Sequence, residues 1–192
     1  MCGITGVISR KPLANSDIAA IRAANHVMTH RGPDGAGEFL AGGSSEGPPH
    51  LFMAMRRLGI IDVAGGRQPL HNEDHSLTLI ANGEIYNFVE LRSELQARGH
   101  RFRTGSDCES ILHLYEDHGL EFVRRLRGMF AFALWDPARR RLVLGRDRMG
   151  EKPLYLHSTP DRIVFASEMK VMLAAGYVDF ELEPAAIHSY LH

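Results

Sequence analysis

The first apolar run, residues 2–9 (CGITGVIS), is short and rich in β-branched side chains, which fits a strand that begins almost at the terminus and is tied into a sheet. Ser16 can cap a helix whose apolar positions Ile18, Ile21 and Met28 recur at helical spacing, and the RGPDG run from Arg31 ends it. Strands are expected around 37–41, 50–56 and 77–82. Asn87 precedes a second helix with Phe88, Leu91 and Leu95 on one face and Gly99 just past its end. A third helix is expected from Ser106, where SDCE has capping-box spacing, with Ile111, Leu112 and Tyr115 inward and Gly119 as the stop. From Gly128 the period becomes two: Phe130, Phe132 and Leu134 alternate with small residues, and Pro137 turns the chain into a hairpin partner at 141–145. Short strands near 153–157 and 162–166 precede a helix from Ser167, with Glu168 in the first turn, where the helix dipole favours an acid. Strands outnumber helices and do not alternate regularly with them, so the pattern predicts an α+β layered sandwich, not a doubly wound parallel sheet. Residues 42–49 (GGSSEGPP) read as a loose hairpin loop.

At 192 residues the chain has the size of one domain, 1–192. Its 22 Lys plus Arg against 23 Asp plus Glu nearly cancel, which argues against nucleic acid or an anionic membrane as partner and for a small neutral or zwitterionic ligand. No apolar run reaches the ~18 residues of a membrane span and the start lacks a secretion-signal layout, so a soluble, cytoplasmic protein is expected. Two cysteines, Cys2 and Cys108, cannot make a disulfide framework.

Cys2 is the residue with chemical promise. Removal of Met1 would leave a thiol and a free α-amine on one residue. An α-amine titrates near ~7.7 to 8.0 and a thiol near ~8.5, so proton transfer between them is close to isoenergetic, and the thiolate attacks carboxamide carbons. On position alone, Cys2 reads as an incidental small residue beside an initiator methionine.

The motifs that follow weigh against the incidental reading. They are RGPD from Arg31, RLGIIDVAGGRQPL from Arg57, NGEIYN from Asn82, GSDCE from Gly105, GMFAFALWD from Gly128, GRDRMGEKPLY from Gly145 and ASEMK from Ala166. With the MCGI start, this set resembles the class II glutamine amidotransferases, and specifically the glutaminase half of glutamine-hydrolysing asparagine synthetases, over nearly the whole chain. The resemblance implies a four-layer αββα sandwich of the N-terminal-nucleophile hydrolase type and hydrolysis of glutamine to glutamate and ammonia through a γ-glutamyl thioester on Cys2. It also implies that Asn82 and Gly83 form the oxyanion hole, that Arg57 holds the substrate α-carboxylate with Leu58, Gly59, Ile60 and Ile61 beside it in the pocket, and that Asp107 and Glu84 receive the α-ammonium. A guanidinium suits a carboxylate because it offers paired donors.

Each of these residues has a plainer reading when taken by itself. Arg56-Arg57 at a strand end is an ordinary solvated pair, Asn82-Gly83 is a two-residue hairpin signal, and Asp107 lies in the expected first helical turn. Cys108 reads as an inert core thiol. Eleven histidines invite a metal, but His71 and His75 fall in a polar stretch after Pro69 that reads as a solvated loop, so no metal is expected. The chain departs from the family pattern at Met55 and Gly59, where histidine and serine are frequent. It also lacks the Ser-Gly-Gly-x-Asp-Ser pyrophosphate loop of a synthetase domain, so ATP and Mg are expected only for that missing domain and no cofactor for glutamine hydrolysis. The expected partners are glutamine, a synthetase domain in a longer parent, and a second copy of the chain in a homodimer. Two rival readings are another N-terminal-nucleophile acylase or amidase and a non-catalytic glutamine-sensing module.

Overall fold

The terminal strand β1 (Gly3–Ser9) lies at the centre of a sheet, between β3 (His50–Arg57) and β9 (Arg162–Ala166), both antiparallel to it. A central strand covered on both faces has no reason to alternate, which accounts for the unbroken apolar run. In this computed structural model, which describes residues 1–42 and 50–191, the first sheet has the order β2-β3-β1-β9-β8, with β2 at Gly35–Ala41 and β8 at Tyr155–Ser158. The second sheet runs β4 (Leu70–His71), β5 (Thr78–Ile85), β6 (Gly128–Asp136), β7 (Arg141–Arg146) and is also antiparallel.

Three apolar clusters define the layers. Ile4, Met53, Met55 and Phe165 of the first sheet pack against Ile80, Ala131, Ala133 and Trp135 of the second. On the outer face of the first sheet, Val7, Phe52 and Val164 meet α1 (Asn15–Asn25) and α4 (Met169–Ala174) through Ile21, Ala24, Val171 and Met172. On the outer face of the second, Leu79, Phe132 and Leu134 meet α2 (Phe88–Ala97) and α3 (Glu109–His118). The architecture is therefore the four-layer αββα sandwich. Each fully buried Phe or Leu contributes roughly 1.5–3 kcal/mol, and the sheet-to-sheet layer holds the two strands that carry the site.

Several local expectations are corrected. Ser16 does not cap α1; the carboxylate of Asp17 accepts the Ala14 N–H at 3.0 Å, and Met28 sits in a 3₁₀ turn, His26–Met28, after the helix. The SDCE capping box does not form, and α3 starts at Glu109. The Glu109 carboxylate takes the N–H groups of Arg103 and Thr104 at 2.6 and 2.8 Å instead, and Asp107 turns to β5. After Gly119, at φ +54°, the chain continues as a 3₁₀ segment, Gly119–Arg125. The Asn82-Gly83 hairpin is absent: both residues lie inside β5, paired with Ala131 and Phe130, because tertiary pairing overrides the dipeptide's turn preference. Glu168 is the N-cap residue of α4, one position before its first turn. The loop expected at 42–49 lies, apart from Gly42, outside the described residues. His71 belongs to β4 and bonds Leu77 O at 3.3 Å, so only His75, at φ +59°, occupies a loop as expected. A final helix, α5 (Pro184–Leu191), buries none of its residues. Among the described residues no helix is long and apolar enough to cross a membrane.

Candidate active site

Cys2 immediately precedes β1, and two distant motifs hold its backbone. Arg31 of the RGPD run donates from Nε to Cys2 O at 2.9 Å and from Nη1 to Glu168 Oε1 of the ASEMK run at 3.0 Å. Ser167 adds reciprocal bonds with Ile4 at 3.0 and 2.8 Å. A terminal residue would ordinarily fray; here a largely buried guanidinium–carboxylate pair fixes it.

Partial burial opposes ionisation of Glu168, but Lys170, Arg31 and His30 outweigh it and pull the carboxyl from 4.5 to about 2. Because the folded-state pKa is depressed, the resulting stability is fully present above the unfolded value and is lost as pH falls from about 4.5 toward 2. Glu168→Gln should therefore flatten the acid limb of the stability–pH curve, by at most about 3 kcal/mol. Urea unfolding of both proteins across that range checks it, and identical slopes would remove Glu168 as the anchor.

The Cys2 thiol is half-buried against the loop that follows β3. Leu58 N donates to Sγ at 3.3 Å, and Leu58 O lies 3.5 Å from the same sulfur. Asp34 holds this loop: its N–H bonds Arg57 O at 3.0 Å and its carboxylate accepts Gly59 N at 2.8 Å. RGPD thus fastens Cys2 with its first residue and the facing loop with its last.

Arg57 is buried to 9% exposure and is not the solvated surface charge of the plain reading. Its Nη1 donates to Val63 O at 2.8 Å, and its Nη2 to Asp62 O at 2.7 Å and Ile61 O at 3.4 Å. The guanidinium therefore braces the loop, with donors of its five left over. Met55, at the position where histidine is frequent, is fully buried in the layer between the sheets.

Asn82 is 1% exposed, and its Nδ2 has no hydrogen-bond partner among the described residues. Such an orphan donor costs roughly 1–3 kcal/mol while nothing meets it. The glycine beside it answers a packing need. A Cβ on Gly83 would collide with Met129 O and come within 2.6 Å of Phe130 Cα, so β6, not a ligand, demands the close approach.

Asp107 lies two residues before α3, not in its first turn, and is 5% exposed. Burial raises its pKa, the Ile85 and Cys108 N–H groups partly counter that, and Glu84 adds repulsion. Its Oδ2 accepts Ile85 N at 2.7 Å. Asp107 makes no ion pair among the described residues, which suits the receipt of an ammonium.

These residues meet in one pocket. Cys2, Arg57, Leu58, Ile60, Ile61, Asn82, Gly83, Glu84 and Asp107 all line it; Gly59 does not, its backbone being held by Asp34. Met1 lines it too, with Lys152 Nζ at 3.2 Å from Met1 Sδ, and the cavity so occupied measures about 90 Å³. Loss of Met1 would enlarge it and expose the Cys2 amine. Arg31, Asp34, Glu168 and the buried Lys152 were not named as site residues from the sequence; the signal was their position as charged residues inside the quoted motifs.

The chain matches, over residues 1–192, the family model described as glutamine amidotransferase domain. It is 42% identical to asparagine synthetase [glutamine-hydrolyzing] 1 of Bacillus subtilis (strain 168) across 100% of this chain and 29% of that protein. It is 43% identical to asparagine synthetase [glutamine-hydrolyzing] 3 of Arabidopsis thaliana across 90% of this chain and 28% of that protein. The chain thus spans less than a third of the length of these relatives. Among solved structures, glutamine phosphoribosylpyrophosphate amidotransferase from B. subtilis superposes with a TM-score of 0.70 at 22% identity, over 91% of this chain and 44% of that one, a likeness of fold.

Proposed function

Because this chain belongs to the glutamine amidotransferase domain family, we propose that it hydrolyses glutamine to glutamate and ammonia, with Cys2 as nucleophile once Met1 has been removed. The observation that carries this reading is the orphan amide of Asn82 buried in the same pocket as the Cys2 thiol. In the first half-reaction the Cys2 α-amine takes the thiol proton and Sγ attacks the side-chain amide carbon of glutamine. The developing oxyanion accepts from Asn82 Nδ2 and Gly83 N–H. Collapse breaks the C–N bond; the α-ammonium returns the proton to the leaving nitrogen, giving ammonia and a γ-glutamyl thioester. Water, deprotonated by the same amine, then releases glutamate and restores the thiol. Glutamine's α-ammonium faces Asp107 and Glu84, and its α-carboxylate takes the remaining donors of Arg57. Leu58 N–H supports the thiolate, and Leu58, Ile60 and Ile61 wall the side chain, with Gly59 positioning them from behind.

No cofactor enters this chemistry. Residues 1–192 act as one glutaminase unit. In a longer parent the ammonia would pass to an ATP- and Mg-dependent domain converting aspartate to asparagine, as the relatives' names suggest, in the cytoplasm and in a homodimer. The test is ammonia release from glutamine by fractions resolved by intact mass. Activity is expected only where Met1 is missing, because an acylated Cys2 nitrogen is not basic. Equal activity in Met1-retaining protein overturns the role of the amine. Binding without turnover would leave a sensor, and preference for other amides an acylase.

A further inference from the structure

Outside the pocket wall, three segments bring four ligating side chains together. Glu73 comes from the turn between β4 and β5, His100 from the connection after α2, and His113 and Glu116 from one face of α3. We propose that Glu73, His100, His113 and Glu116 form a structural zinc site. One donor atom from each lies within 4.8 Å of all the others. Three of the separations fall within one such set: His113 Nδ1 is 3.0 Å from Glu116 Oε2 and 3.3 Å from Glu73 Oε2, and His100 Nδ1 is 3.6 Å from Glu116 Oε2; the other Glu73 oxygen, Oε1, lies 3.7 Å from His100 Nδ1. Zinc bonds of ~2.0–2.1 Å in a tetrahedron give edges of about 3.3 Å, the middle of that range.

Two further observations point to an occupant. The His113 ring is fully buried, and the Oε2 atom of Glu73 that faces it is also buried and has no hydrogen-bond partner among the described residues. Buried polar atoms are seldom left so. The outer contact of His100 is that of a metal-bound imidazole, whose second nitrogen commonly meets a carboxylate. His100 Nε2 lies 3.0 Å from Asp117 Oδ1; His113 Nε2 faces the buried Glu109 carboxylate at 3.7 Å, beyond hydrogen-bond length; and Glu116 Oε1 accepts from Asn72 Nδ2 at 2.8 Å. Four carboxylates thus surround two imidazoles, with Arg98, 3.2 Å from Asp117, on one side. Two nitrogens and two carboxylates in four-fold geometry select zinc over calcium or magnesium, which prefer more oxygen ligands. Bound there, the ion would tie the β4–β5 turn and the α2–α3 connection to α3, the helix that Asp107 leads into. The rival occupant is a proton: burial works against protonation of His113, but Glu109, Glu116 and Glu73 overcome it and raise the ring to about 9.

The experiment uses the full chain as Cys2→Ala, so that the pocket thiol binds no metal. Protein stripped by chelator dialysis is given one equivalent of zinc chloride, gel-filtered and assayed for metal content and melting temperature. One retained zinc per chain and a raised melting temperature are expected. Cobalt(II) in its place should show the intense visible bands of four-coordinate geometry. Glu73→Gln and His100→Gln, both partly exposed and so expected to fold, should each weaken zinc binding at least tenfold. Failure of the stripped protein to retain zinc, or equal affinity in both variants, would mean the cluster is a proton-bridged ion-pair network and overturns the proposal.

Discussion

Replacing Cys2 with alanine is expected to reduce ammonia release from glutamine to background while the fold survives. The proposed reaction has one nucleophile, and the second thiol lining the pocket cannot replace it. Cys108 is 3% exposed, and burial together with the adjacent Asp107 charge pushes its pKa well above the usual thiol range, so it stays protonated at neutral pH. The fold should tolerate the change because the anchoring contact is to the carbonyl oxygen of residue 2, not to its side chain. What is lost is the pair of long contacts between Sγ and Leu58, worth well under the ~1 kcal/mol of an ordinary hydrogen bond. Cys2→Ser should be nearly as inactive, since the terminal amine cannot readily deprotonate a hydroxyl. The measurement is ammonia release by protein shown by mass to lack Met1, beside a melting curve. Turnover by the alanine variant would end the thiolate mechanism, and a collapsed melting temperature would leave the question to Cys2→Ser.

The sequence revealed elements more reliably than the contacts between them. β1 was legible because a strand covered on both faces is mostly apolar without polar alternation, and α2 because Leu91 and Leu95 share one buried face. Asn82-Gly83 shows the opposite case. As a dipeptide it favours a turn, and only its pairing with β6, which no local window contains, keeps it in a strand. The same limit hid the Arg31–Glu168 pair, separated by 137 positions. Arg57 was singled out by the family resemblance, yet its bonds to Ile61, Asp62 and Val63 were not, because they depend on how the loop folds back. The SDCE spacing misled because Glu109 and Asp107 each found a backbone donor elsewhere. His71 and His75 drew notice through sequence proximity, whereas His100 and His113 are 13 positions apart and meet only in the fold, with ring centroids 4.9 Å apart.

Asn82→Ala should lower kcat by about 10²–10³, the loss of ~2.7–4 kcal/mol typical of removing one oxyanion donor. The structure sharpens this expectation. A buried amide nitrogen with no partner among the described residues already burdens the resting fold, so deleting it should leave the melting temperature close to that of the parent, the small cavity offsetting the relief. The effect belongs mainly in kcat, with KM little changed, because the amide is proposed to meet its acceptor only when the oxyanion forms. Gly83 cannot serve as the comparison, since any side chain there strikes Met129 O and disturbs β6. Reaction of Cys2 with a small alkylating reagent offers a control that does not develop an oxyanion, and its rate should be unchanged in Asn82→Ala if the thiol's surroundings are intact. A large fall in melting temperature would show that the amide has a structural partner. Full kcat with normal alkylation would move the oxyanion hole away from Asn82, leaving the buried orphan donor without a catalytic explanation.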